Sequence, residues 1–210
     1  MPTGVAIRDV RDQLFDAAER VLLRDGPSAL TSRAVTTEAG CAKGVLHRHF
    51  ADFDAFLTEL VLDRAARIDD RAAALRDSAG TGTVADNLTR ALTDLFASVA
   101  VAIVSLVTSR DELRSRLREA RPTGVPILTD AATAIASYLT AERELGRVTA
   151  DADVDTLAPI LIGAVHMLFA DRQGAPPDAG AVHKVVTAIE SPVRGSRPAG
   201  FTRPSVPPVR

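Results

Sequence analysis

A chain of 210 residues, 46% of them hydrophobic, can bury a substantial core and fits one moderate domain or, as we read it, a small head on a larger body. One cysteine excludes an intramolecular disulfide framework, and without a charged stretch leading into an apolar signal core the chain is expected to be cytoplasmic. A net charge of −2 means that any anion-binding face must be local; the longest apolar stretches, Ala97 to Val107 and Leu157 to Ala170, fall short of the roughly 20 residues that span a bilayer, so they read as buried helices and no membrane partner is expected.

Val10, Leu14, Ala17, Ala18, Val21 and Leu22 recur at helical spacing, and the run ends at Gly26-Pro27, which predicts a first helix. Thr31 can cap a second helix by accepting a hydrogen bond from one of its first free N–H groups. Ala34, Val35 and Ala39 give that helix a compact apolar side, and Gly40 ends it and makes the turn. From Ala42 to Phe50 a third helix is predicted, with Val45, Leu46 and Phe50 inward or at the edge and Lys43, His47 and Arg48 open to phosphates and base edges. Between Gly40 and Phe50 there are two formal cations and no carboxylate. The arrangement suggests a helix-turn-helix whose last helix meets DNA. Cys41, in the turn, reads as a small hydrophobe in preference to a thiol sensor.

Beyond the turn, Asp52 can cap a long helix running toward Ala79, with Phe53, Phe56, Leu57, Leu60 and Val61 as its early stripe. After Gly80-Thr81-Gly82, a helical stripe continues from Leu88 through Phe96 and Val99 to Ile103 and Leu106. A short helix from Asp111 to Arg121 follows, then a Pro-Thr-Gly-Val-Pro connection and a helix from about Ile127 to Leu145 with a C-cap at Gly146. Asp151, Asp153 or Asp155 can open the next helix, which is almost wholly apolar from Leu157 to Phe169. Val182, Val185, Val186 and Ile189 form one further stripe. The last twenty residues hold five prolines and four arginines with no acid, and read as a mobile tail.

Other signals fail on context. The glycines at 80–82 loosely match a dinucleotide fingerprint but follow a helical pattern instead of a strand. Asp151, Asp153 and Asp155 imitate the start of a calcium loop, yet Thr156 stands where glycine and Ile162 where glutamate is needed. His47 and His49 are two apart, on different helix faces, and no metal is expected there. No nucleophile elbow, phosphate loop or zinc-protease helix is present, so no enzyme activity and no cofactor are expected.

Arg11, Ala17-Ala18, Gly26, Leu30-Thr31, Ala39-Gly40, Gly44, Leu46 and Phe50 together resemble the amino-terminal pattern of the tetracycline-repressor (TetR) family of bacterial transcriptional regulators, over about the first sixty residues. A fainter echo follows in Tyr138-Leu139, Glu142 to Arg147 and Asp153 to Asp155. The resemblance implies an all-α protein with a DNA-binding head at 1–52, a helical ligand-binding and dimerisation body at 53–190 and the tail at 191–210. It also implies a homodimer through the last two helices, Asp155 to Ala170 and Asp178 to Glu190; packing within one chain is the competing reading, since periodicity cannot separate them. This chain departs from the pattern at Ala42, where a capping Ser or Thr is usual, at His47 for Tyr, and at Phe53 for Lys, flanked by Asp52 and Asp54.

The function expected is a ligand-responsive repressor on a palindromic double-stranded operator, with Lys43 and Arg48 on phosphates, Gly44 allowing close approach and Val45 and His47 touching bases. Arg11, Thr31, Ser32 and Arg33 would approach the backbone from the first two helices. A small lipophilic effector would lie among Phe96, Val99, Ile103, Tyr138 and His166, with Ser105, Tyr138 or His166 on its polar end. The alternative is a helical small-molecule binding protein whose DNA affinity is weak or lost.

Overall fold

The computed structural model describes residues 4–122, 124–170 and 177–190, and all their regular structure is helical. The helices are α1 (Gly4–Asp25), α2 (Ser32–Glu38), α3 (Gly44–His49), α4 (Phe53–Asp77), α5 (Val84–Phe96), α6 (Ala100–Ser109), α7 (Asp111–Ala120), α8 (Pro126–Glu144), α9 (Val154–Phe169) and α10 (Ala179–Glu190). The tail expected at 191–210 lies outside the described residues.

The boundaries follow from caps. Thr31 Oγ1 accepts the Ala34 N–H at 3.1 Å and opens α2, and the Asp52 carboxylate accepts the Ala55 N–H at 2.7 Å and opens α4. Of the three aspartates that could start α9, Asp153 does so, accepting the Thr156 N–H at 3.2 Å. α2 ends at Gly40, φ 66°, where Cys41 N–H donates to the Thr36 carbonyl and Gly40 N–H to that of Thr37. α8 closes in the same way at Gly146, φ 71°. A left-handed residue lets the chain reverse while satisfying two helix carbonyls, and glycine adopts it without a Cβ penalty.

The stripe read as continuous from Leu88 to Leu106 is two helices. α5 stops at Phe96, and α6 sets off at 54° to it. At the break Ser98 turns its hydroxyl to the Leu95 carbonyl and its N–H donates to the same group, which tightens the backbone into a three-residue turn. Both helices stay buried, so the hydrophobic pattern runs on through the bend. Among the described residues, no single helix is long and apolar enough to cross a membrane.

In the body, α8 packs against α4 and α9, α5 against α10, and α7 against α4. Leu88, Leu92, Ile103, Ile135, Leu139, Val165, Val182 and Val186 are buried there, each favouring the folded state by about 1.5–3 kcal/mol. One polar knot crosses this core. Glu142, fully buried, accepts the Tyr138 hydroxyl at 2.6 Å and pairs with Arg147 at 3.0 Å, while Asn87 donates to the Tyr138 oxygen at 3.1 Å. Burial, and next the Glu142 carboxylate, push the Tyr138 phenol above its ordinary value. The knot pins α8 to the turn between α4 and α5.

Candidate nucleic-acid interface

The first three helices enclose Leu14, Ala17, Ala18, Leu22, Leu30, Val35 and Leu46, all buried. Phe15, Phe50 and Phe56 then form a three-ring cluster with centroids 5.0–5.7 Å apart, and Phe50 meets Phe56 edge to face. This cluster fixes α3, because Phe50 is its C-terminal neighbour and Leu46 its one fully buried residue. With Leu46 held inward, helical geometry turns Lys43, Gly44, His47 and Arg48 outward, and all four are exposed. Val45 is half-buried against the core, at the edge of that surface. α3 is six residues long and opens at Lys43 with no side-chain cap; Ala42 contributes only its carbonyl, to the Val45 N–H.

The residues expected to contact the DNA backbone from the first two helices divide. Thr31 and Arg33 are exposed beside the start of α2. Ser32 is half-buried, and its hydroxyl oxygen is enclosed with no hydrogen-bond partner. Arg11 is a correction. Its guanidinium lies 4.4 Å over the Phe50 ring, donates to the His49 carbonyl at 3.2 Å and pairs with Glu59 on α4. A cation at the carbonyl end of α3 complements that helix's dipole, so Arg11 positions the surface and does not present a free charge to phosphate.

The aspartates flanking Phe53 are also neutralised. Asp52 receives two hydrogen bonds from Arg116 of α7, at 2.9 and 3.0 Å, and Asp54 lies 3.4 Å from Arg110. The Ala55 N–H and then Arg116 hold the Asp52 carboxyl below its usual range. Arg110 also donates to the Leu30 carbonyl at 3.2 Å and lies 5.5 Å over the Phe53 ring. These carboxylates therefore join head to body instead of standing as bare charges beside a phosphate. Sequence reading missed both arginines, which lie 56 and 64 residues from their partners.

The six residues expected around an effector are not gathered in one cavity. Tyr138 is sealed within the core knot, so its hydroxyl is not available to a ligand. Ser105 donates to the Val101 carbonyl of its own helix at 3.0 Å. Phe96, Val99 and Ile103 are core residues, and half-buried His166 packs on Phe96 with ring centroids 5.8 Å apart. Val99 alone of the six lines a described cleft, of about 70 Å³, together with Arg64, Arg67, Arg71 and Ile68 of α4. Among the described residues, no three His, Cys, Asp or Glu are placed to hold a metal ion.

Residues 14–60 match the family model of bacterial regulatory proteins, tetR family. No curated protein sequence matches the chain. Among solved structures the chain is similar to NemR of E. coli in its reduced form, with TM-score 0.68 at 15% identity over 87% of this chain and 96% of that one. A TetR-family regulator from Agrobacterium tumefaciens gives TM-score 0.68 at 13% identity over 90% and 100%. FadR of Bacillus subtilis, solved in complex with stearoyl-CoA, gives TM-score 0.65 at 19% identity over 87% and 98%. At such identities the likeness is one of fold, head and body together.

Proposed function

We propose that the chain, whose residues 14–60 match the family model of bacterial regulatory proteins, tetR family, is a ligand-responsive repressor binding a palindromic operator as a homodimer. One observation carries the reading. α3 offers Lys43, Gly44, His47 and Arg48 on one exposed face without a carboxylate, on a helix anchored by Leu46 and Phe50. Lys43 and Arg48 take phosphates, Gly44 admits the backbone closely, and Val45 and His47 meet base edges in the major groove. Thr31 and Arg33 add contacts from α2.

Pairing is supported by α9. Its inner face buries Leu161, Ile162 and Val165, while Ile160 and Met167, with Gly163 between them, remain exposed, Met167 by 74%. An apolar stripe of this kind on the penultimate helix is covered when a second copy joins it. Two heads then lie about 34–36 Å apart in successive major grooves. A lipophilic effector in the body shifts that spacing, for which a coupling of about 1–3 kcal/mol suffices. The uncapped start of α3 favours a second reading, a ligand-binding protein of the same fold with little DNA affinity.

Fluorescence anisotropy on DNA from upstream of the gene, at two salt concentrations, separates the two. Arg48→Ala is expected to bind more weakly, with the log–log salt slope reduced by about 1. No binding by the unaltered protein to any genomic fragment selects the second reading.

A further inference from the structure

α4 packs closely on α8 but only lightly on α5, and the space between the three helices is not filled. Three adjoining clefts, of about 70, 140 and 40 Å³, lie along this seam, and Arg71 lines all three. The most apolar of the three is bounded by Leu75, Leu92, Leu95 and Ile135, with Ala91, Ala131 and Ala134 too short to close it. Arg90 and Asp94 stand at the rim of one cleft, and Glu19, paired with Arg64, lines another.

The arginines along α4 differ in a way that points to a ligand. Arg64 is 95% buried and pairs with Asp16 at 2.9 Å, Glu19 at 2.7 Å and Asp63 at 2.5 Å. Arg67 reaches Asp63 at 3.4 Å. Arg71 and Arg90 are exposed at the mouth of an apolar slot and have no ion-pair partner among the described residues. A guanidinium fork there matches a planar or tetrahedral oxyanion, and the slot behind it accepts only hydrocarbon.

We propose that the seam between α4, α5 and α8 binds an aliphatic chain with an anionic head, the chain on Leu75, Leu92, Leu95 and Ile135 and the carboxylate or phosphate on Arg71 beside Arg90. The site rests on the reading of the body as the effector-binding part and gives that effector a charge. Filling the seam separates α4, which carries the head, from α5, which is anchored to the polar knot through Asn87.

The test is calorimetric titration of the full chain without DNA, using decanoate, decyl phosphate, decanol and decyltrimethylammonium below their micelle concentrations. Both anions are expected to bind about tenfold more tightly than decanol, and the cation more weakly than decanol. The tighter of the two anions identifies the head group as carboxylate or phosphate. Arg71→Ala is expected to bring the anions down to the level of decanol, which keeps its affinity. Ala91→Leu, which fills the slot and leaves both arginines, weakens all the chain ligands. Equal binding of decanoate, decyl phosphate and decanol, no binding of any chain, or an anion preference that survives Arg71→Ala overturns the proposal. DNA takes no part in this titration, so a failed seam leaves the operator reading standing, and a protein that ignores DNA can still show the seam.

Discussion

In the head, rings from α1, α4 and the end of α3 pack tilted and edge to face, and Arg11 closes the assembly over Phe50. In the body, α4 meets α5 across alanines and an arginine, and a buried polar knot lies at one end of the seam. The head is a fixed platform whose polar groups point outward. The body keeps slack beside its core. The proposed function, a reading surface held still while a small molecule acts elsewhere, needs both, and α4 passes through the two regions.

The difference is tested most strongly by removing one ring. Phe56 is fully buried and touches Phe15, Phe50 and Phe53, so Phe56→Ala should cost about 3–5 kcal/mol in urea unfolding followed by circular dichroism. Leu75→Ala, at the open seam, deletes a side chain that already borders empty space, and its cost should fall near the lower end of the usual range of about 2–5 kcal/mol. Equal losses at the two positions would erase the contrast between platform and seam.

The polar knot comes next. Glu142→Ala leaves the buried Tyr138 hydroxyl without its acceptor, which costs about 1–3 kcal/mol, and takes the ion-pair partner from Arg147, which keeps the Gly82 carbonyl. Because the knot ties α8 to the α4–α5 turn, hydrogen exchange should quicken around Gly80 to Asn87 more than in α1 to α3. Uniform quickening would mean that head and body open as one unit.

The head was legible in the sequence because its signals are local. Thr31, Gly40 and Asp52 are caps or turns recognisable within four residues, and Leu46 and Phe50 follow from a helical period. The helices of the body were legible for the same reason. What periodicity could not show was the bend at Ser98, since both helices stay apolar through it, or the partners of Asp52, Asp54 and Arg11, which come from distant segments. The candidate effector residues are aromatic, aliphatic or polar side chains on apolar helices, and such residues fill cores as readily as they line pockets. Tyr138 does the former, while the seam is marked by alanines and arginines that read as an ordinary solvated helix face.

A smaller effect tests the joint between the two regions. Asp52 both caps α4 and receives Arg116, whereas Arg116 supplies only the ion pair. In thermal unfolding, Asp52→Ala should therefore lower the midpoint more than Arg116→Ala does, and Arg116→Ala should lose most of its effect in high salt. If the arginine variant is the more damaging of the two, the pairing with α7 and not the cap holds the start of α4.

The smallest expected effect is a pH dependence at His166, on the body side of the comparison. Burial holds its pKa below the usual 6.5, because a half-enclosed imidazole resists charging. Packing against the Phe96 ring works the other way, since an aromatic face welcomes a cation, but the rings are tilted with centroids 5.8 Å apart and burial prevails. In the unfolded chain the residue takes its proton near pH 6.5, while in the folded chain it does so only at lower pH. Between those two values the unfolded state holds more protons, so stability rises with pH across the window and falls on acidification below about 6.5. Unfolding midpoints at pH 7.5 and 5.5 should thus differ more in the unaltered protein than in His166→Phe. An identical pH response in the variant would mean that His166 is as well solvated in the folded body as in the open chain.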